Sequence, residues 1–155
     1  MGNIAIIPAR GGSKRMPNKN IIEFEGLPMI AHSINSCIES GIYDEVFVST
    51  DDKQIADISK QYGASVPFLR KNAADDFSPV SLAIIDMLKN LNTPYETVSM
   101  LMANCPLRRK NEITDAMDNF RKRKLEFQIS SFEYGWMNPW WAYKVGEDSK
   151  PHKIF

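Results

Sequence analysis

"IIPARGGSKRMPNKN", residues 6–20, runs from an apolar stretch directly into two adjacent glycines and a cluster of cations. The segment "NIAIIPA" (3–9) that leads into it is short, apolar and ended by Pro8, which is the pattern of a buried strand. In an open α/β sheet, ligands gather beyond the carboxyl ends of the strands. A loop leaving such an end with bare backbone at Gly11 and Gly12, and with Arg10, Lys14, Arg15 and Lys19 carrying charge, suits phosphate oxygens. A polyphosphate is its natural cargo. It is not a Walker A loop, since no G-x-x-x-x-G-K-[ST] occurs, and it is not G-x-G-x-x-G, because the glycines are adjacent. The competing reading is a solvated basic turn, and a glycine pair directly after the first strand weighs against it.

Working outward, apolar runs alternate with helical patterns, which favours βαβ units and a mainly parallel sheet. "MIAHSINSCIES" (29–40) puts Ile30, Ile34, Cys37 and Ile38 on one helix face, with Pro28 before it and Gly41 after. "EVFVST" (45–50) is the second strand, "DKQIADISKQY" (52–62) a helix closed by Gly63, and "ASVPFL" (64–69) an extended piece that Pro67 pushes to an edge. A helix follows over 79–91, a buried strand over 97–103, a helix near 111–124 and a strand over 126–132. No repeat or linker divides the chain, so one domain over 1–155 is expected.

At 155 residues the chain can bury one core. Its formal net charge of +0 excludes a surface that attracts nucleic acid or membrane as a whole, so any positive field is local. The N-terminal apolar run is too short for a leader or a span, and Ile6 stands where a myristoylation motif wants Ser or Thr. Cys37 and Cys105 lie far apart without a C-x-x-C, which reads as two buried thiols in a reduced, cytoplasmic chain. With only His32 and His152, neither a zinc cluster nor a Ser-His-Asp arrangement is supported.

Three further loops leave strand ends. In "STDD" (49–52), Asp52 suits a helix cap and Asp51 a ligand or metal neighbour, because magnesium bridges one or two carboxylates to substrate phosphates. "FLRKNAADDFSPVS" brings Arg70, Ser78 and Ser81 within range of a pocket, with Ser78 or Asp76 as alternative helix caps. "MANCPLR" (102–108) offers Asn104 and Arg108, against the plainer reading of a helix start around Pro106. Trp136, Trp140 and Trp141 could stack on a sugar or base, although such aromatics more often serve a core or an interface.

"IAIIPARGGSKRMPNKN", "VFVSTDD", "GASVPFLR" and "CPLR" together resemble the acylneuraminate cytidylyltransferases, which make CMP-activated sialic acids, and their pseudaminic and legionaminic relatives. The A-R-x-x-S-K-x-x-P-x-K-N pattern carries most of the resemblance. It implies a three-layer α/β, Rossmann-like nucleotidyltransferase fold, CTP and Mg²⁺, attack of a 2-keto sugar acid's anomeric hydroxyl on the α-phosphate, and release of pyrophosphate. By position, Arg10, Ser13, Lys14 and Lys19 look like the phosphate-binding set, within a nucleotide-binding stretch that includes Ala9, Gly11 and Gly12. Asn20 and Arg70 look like nucleotide contacts, Ser78 or Ser81 like the serine near the base, and Arg10 and Lys19 like the catalytic cations. Asp51 is the metal candidate, and Met102, Asn104 and Arg108 the sugar-acid candidates. Met102 stands where sialic acid members commonly carry a glutamine facing the sugar, which puts sialic acid itself in question. Family members are longer, so the chain is expected to lack a C-terminal part that supplies a dimerisation segment and a D-x-D-like metal pair, the complete protein being a homodimer. The alternatives are a Kdo-type cytidylyltransferase and a non-catalytic CTP- or CMP-binding module.

Overall fold

Asn3–Pro8 forms strand β1, whose Ile4, Ala5, Ile6 and Ile7 are all fully buried. A strand that is apolar on both faces needs cover on both, and it has it. Residues 2–14, 16–72, 78–131, 133, 135, 143–147 and 150–153 are described by the computed structural model. After β1 come a short 3-10 turn at Lys19–Ile21, a two-residue hairpin of β2 (Glu23–Phe24) and β3 (Leu27–Pro28), and helix α1 (Met29–Ser40). Strand β4 (Glu45–Ser49), helix α2 (Lys53–Gln61), helix α3 (Val80–Leu91), strand β5 (Thr97–Met100) and helix α4 (Lys110–Lys122) follow. These belong to one compact unit, Met1–Lys122; Arg123–Phe155 is a second, in which β6 (Tyr143–Val145) and β7 (Pro151–Lys153) pair antiparallel.

The main sheet is parallel in the order β4-β1-β5. Ile4 pairs with Glu45 and Pro8 with Ser49 on one side, Asn3 with Thr97 and Ile6 with Met100 on the other. Because side chains alternate along a strand, Ala5 and Ile7 face one way and Ile4 and Ile6 the other. The first pair packs with Val46, Val48, Ile30 and Ile34 of α1, Ile55 of α2 and Ile113 of α4. The second packs with Phe47 and with Met87 of α3. Helices therefore cover both faces of the sheet, giving the three-layer Rossmann-like arrangement.

Local chemistry sets the helix limits. Gly41 takes φ 68° after α1 and its N–H reaches the Ile38 carbonyl; Asp52 caps α2 by accepting from the Ile55 N–H at 2.9 Å. The 64–69 segment lies at the sheet edge as expected, through a single parallel bridge between Ser65 and Phe47. Other expectations are corrected. β5 stops at Met100 rather than 103, because the carbonyls of Met102 and Ala103 turn to the Ser33 hydroxyl on α1 instead of to a strand. Residues 126–131 form no strand: their alternating apolar pattern finds no ladder partner, and Phe127 and Ile129 stand exposed. Only one thiol is fully buried, since Cys105 is half-buried. Arg15, Asp76, Trp136, Trp140 and Trp141 lie outside the described residues.

Candidate functional site

Beyond the carboxyl ends of β1 and β5, a cavity of about 210 Å³ opens within the first unit. Pro8, at the end of β1, forms part of its floor. Arg10, Ser13, Lys19 and Asn20 line it from the first loop, Arg70 and Ser78 from the third, and Met102, Ala103 and Asn104 from the fourth. Val80 and Ala83 on α3 complete the wall. Three of the four loops singled out in the sequence thus meet on one hollow.

The cationic loop is held at its root by hydrogen bonds, not by regular structure. Ala9 N–H donates to the Ser49 carbonyl at 2.9 Å, Gly11 N–H to Asp51 Oδ1 at 3.0 Å, and Ser13 N–H back to the Gly11 carbonyl at 2.8 Å. Asn20, 6% exposed, closes the far end by donating from Nδ2 to the Arg10 carbonyl at 2.9 Å. The two glycines differ. A Cβ on Gly11 would come within 2.8 Å of Asp52 Cβ and Oδ2, whereas one on Gly12 would have no heavy atom within 4 Å. Gly11 is needed by the fold, and Gly12 leaves its backbone open to a ligand.

Arg70 is the most buried cation in the wall, at 5% exposed. Its N–H reaches the Thr50 carbonyl at 2.7 Å, and its Nη1 donates to the Ser49 carbonyl and Oγ at 3.1 and 3.0 Å. Burial lowers its pKa, the carboxylates of Asp51 and Asp86 oppose that, and the charge of Arg10 adds to the lowering. A guanidinium remains charged nonetheless. Nε is buried with no hydrogen-bond partner, so Arg70 carries one desolvated donor that its protein surroundings leave unmatched.

Eight candidate residues line the cavity: Arg10, Ser13, Lys19, Asn20, Arg70, Ser78, Met102 and Asn104. Seven do not. Ala9 is buried behind the loop, Gly11 and Asp51 bind each other at its root, Gly12 and Lys14 are exposed on it, and Ser81 is exposed on the first turn of α3. Arg108 turns toward α1: its carbonyl accepts from Ser36 Oγ at 2.7 Å, and its charge lies near enough to act on Cys37 and Tyr43. Pro79, not Ser78, occupies the cap position of α3, and Ser78 lines the hollow. Pro8, Val80, Ala83 and Ala103 escaped sequence reasoning, because small and apolar residues beside strand ends carry no chemical signature.

For a divalent cation, Asp51 supplies one carboxylate at the loop root, and no cluster of three His, Cys, Asp or Glu exists among the described residues. One carboxylate outside the cavity lining does not make a metal cage, so a divalent cation held here would take most of its ligands from phosphate oxygens and water. His32 is structural: Nε2 lies 2.7 Å from the Phe24 carbonyl, and its ring meets Phe24 edge-on.

Residues 4–136 match the model of the family described as Cytidylyltransferase. A pseudaminic acid cytidylyltransferase of Campylobacter jejuni subsp. jejuni serotype O:23/36 is 44% identical over 140 residues, covering 86% of this chain and 60% of that protein. A CMP-N,N'-diacetyllegionaminic acid synthase of Legionella pneumophila is 43% identical over 119 residues, covering 74% of this chain and 51% of that protein. The solved structure of CMP:2-keto-3-deoxy-manno-octonic acid synthetase complexed with CTP aligns with a TM-score of 0.69 at 22% identity, over 80% of this chain and 49% of that one, a likeness of fold. The chain thus spans 60% or less of the length of each of these proteins.

Proposed function

The chain belongs to the cytidylyltransferase family, and from that premise we propose that the full-length protein moves a cytidylyl group from CTP to the anomeric hydroxyl of a nonulosonic acid. The observation that carries this reading is the convergence of Arg10, Lys19 and Arg70 on one hollow at the strand ends. In the transfer, the anomeric oxygen forms a bond to the α-phosphorus while the bond from that phosphorus to the oxygen bridging to the β-phosphate breaks. Pyrophosphate leaves with the electron pair, and the hydroxyl proton is released to solvent. The described wall holds no carboxylate or imidazole, so its residues position the triphosphate and neutralise charge gathering on the leaving group. Arg10 and Lys19 hold the phosphates, Ser13 and the Gly12 backbone add donors, and Arg70 anchors the nucleotide. Cytidylyltransferases of this kind generally need a divalent metal; when bound, it would offset phosphate charge, and Asp51, outside the cavity lining at the loop root, is the carboxylate to test as its ligand.

Met102 and Asn104 face the acid, and Met102 presents an apolar surface to it. The relatives named for pseudaminic and legionaminic acids make such deoxy-sugar acids the first acceptors to try. Pyrophosphate release is measured with the full-length protein, CTP, Mg²⁺ and a panel of pseudaminic, legionaminic, sialic and Kdo acids. Release with a nonulosonic acid is the expected result. Release with Kdo alone would replace the acceptor, and nucleotide binding without release from any acid would leave a binding module in place of an enzyme.

A further inference from the structure

Ser33 and Ser36 sit three residues apart on one face of α1, and both give their hydroxyls to a loop about seventy residues further along the chain. Ser33 Oγ donates to the Met102 carbonyl at 3.0 Å, with the Ala103 carbonyl also within reach at 3.4 Å. Ser36 Oγ donates to the Arg108 carbonyl at 2.7 Å. Helical serines commonly bond back to their own helix, as Ser40 does to Cys37 and Ser59 to Ile55 here. Ser33 and Ser36 do otherwise. Ser33 is fully buried, and Leu101 and Ala103 on either side of Met102 are buried too, although Met102 itself is exposed and the bond to its carbonyl only part-buried.

The segment from Leu101 to Arg109 has no regular structure, yet Met102, Ala103 and Asn104 form one wall of the cavity. Leu101 N–H still reaches the Ile6 carbonyl of β1 at 3.1 Å, and beyond that bond the segment is tied to α1 at Met102 and at Arg108. We propose that Ser33 and Ser36 are positioning residues that latch the 102–108 loop to α1 and so set where the sugar acid lies relative to the nucleotide. The role in positioning the acid rests on the nucleotidyl-transfer reading above; the latch itself does not. Neither serine touches substrate.

The test compares Ser33→Ala and Ser36→Ala with the wild-type full-length protein. In pyrophosphate-release kinetics, loss of the bond at Ser33 should raise KM for the acid about five- to tenfold while KM for CTP stays within about twofold. Amide hydrogen exchange over 101–109 should quicken at least ~tenfold in either variant, with 80–91 unchanged. Equal rises in both KM values overturn the positioning role, and unchanged exchange overturns the latch. Ser36 is only half-buried, so its variant keeps the test decisive if Ser33→Ala does not fold. A wild-type protein that releases no pyrophosphate with any acid overturns the transfer reading and the positioning role together, and exchange still decides the latch.

Discussion

Gly11 and Gly12 are chain neighbours with opposite demands. Gly11→Ala forces a Cβ against the Asp52 side chain and should cost about 1–3 kcal/mol, read from a urea midpoint. Gly12→Ala meets no heavy atom, so stability should stay within about 0.5 kcal/mol, a contrast that the two urea midpoints resolve. Arg70→Ala should weaken CTP binding by about 1.5–3 kcal/mol, since it removes charged donors from the wall; unchanged affinity would remove Arg70 from the nucleotide site. Arg10, Lys19 and Arg70 were legible because cations at strand ends announce themselves. Ser33 was not, because a hydroxyl on a helix face has no spacing that says which carbonyl it will reach. Arg108 lies outside the cavity lining for the related reason that residue type gives no direction: its carbonyl meets Ser36 and its charge acts on Cys37, both on α1.

Among the elements, α2 ties stability to the site. Asp52→Ala removes the cap on Ile55 N–H and should cost about 1 kcal/mol, measured as a fall in Tm. The same change removes Asp52 Oδ2 and Cγ, two of the three atoms that a Cβ at Gly11 would meet, and leaves only the Cβ at 52 in its way. The double variant Gly11→Ala/Asp52→Ala should therefore be less destabilised than the sum of the single ones, and strict additivity would show that the two sites do not meet. β1, α1, β4 and α2 were readable from apolar run and periodicity because local preference and burial agree there. Residues 126–131 were not, because alternation in "FQISSF" states a preference that only a partner strand can satisfy.

Across the whole molecule, the sheet is sealed by separate clusters on its two faces. Ile34→Ala on the α1 side and Met87→Ala on the α3 side should each cost about 2–5 kcal/mol by leaving a cavity. The pH response follows from the same burial. Desolvation pushes the Cys37 thiol up to about 12 from 9.0, with the charge of Arg108 acting against it, and burial likewise raises Tyr43 above 10.0. Below pH 9 the thiol is protonated whether folded or not, and its contribution is complete. Between about 9 and 12 only the unfolded chain loses that proton, so stability should fall by up to ~1.4 kcal/mol per pH unit, and Cys37→Ala should flatten the decline in urea titrations. The cysteines also give the protein a stopwatch. An alkylating reagent near neutral pH should consume half-buried Cys105 first, while Cys37 reacts only as often as α1 lifts from the sheet. The lag between the two adducts, followed by intact mass, then counts the openings of the core without any introduced probe.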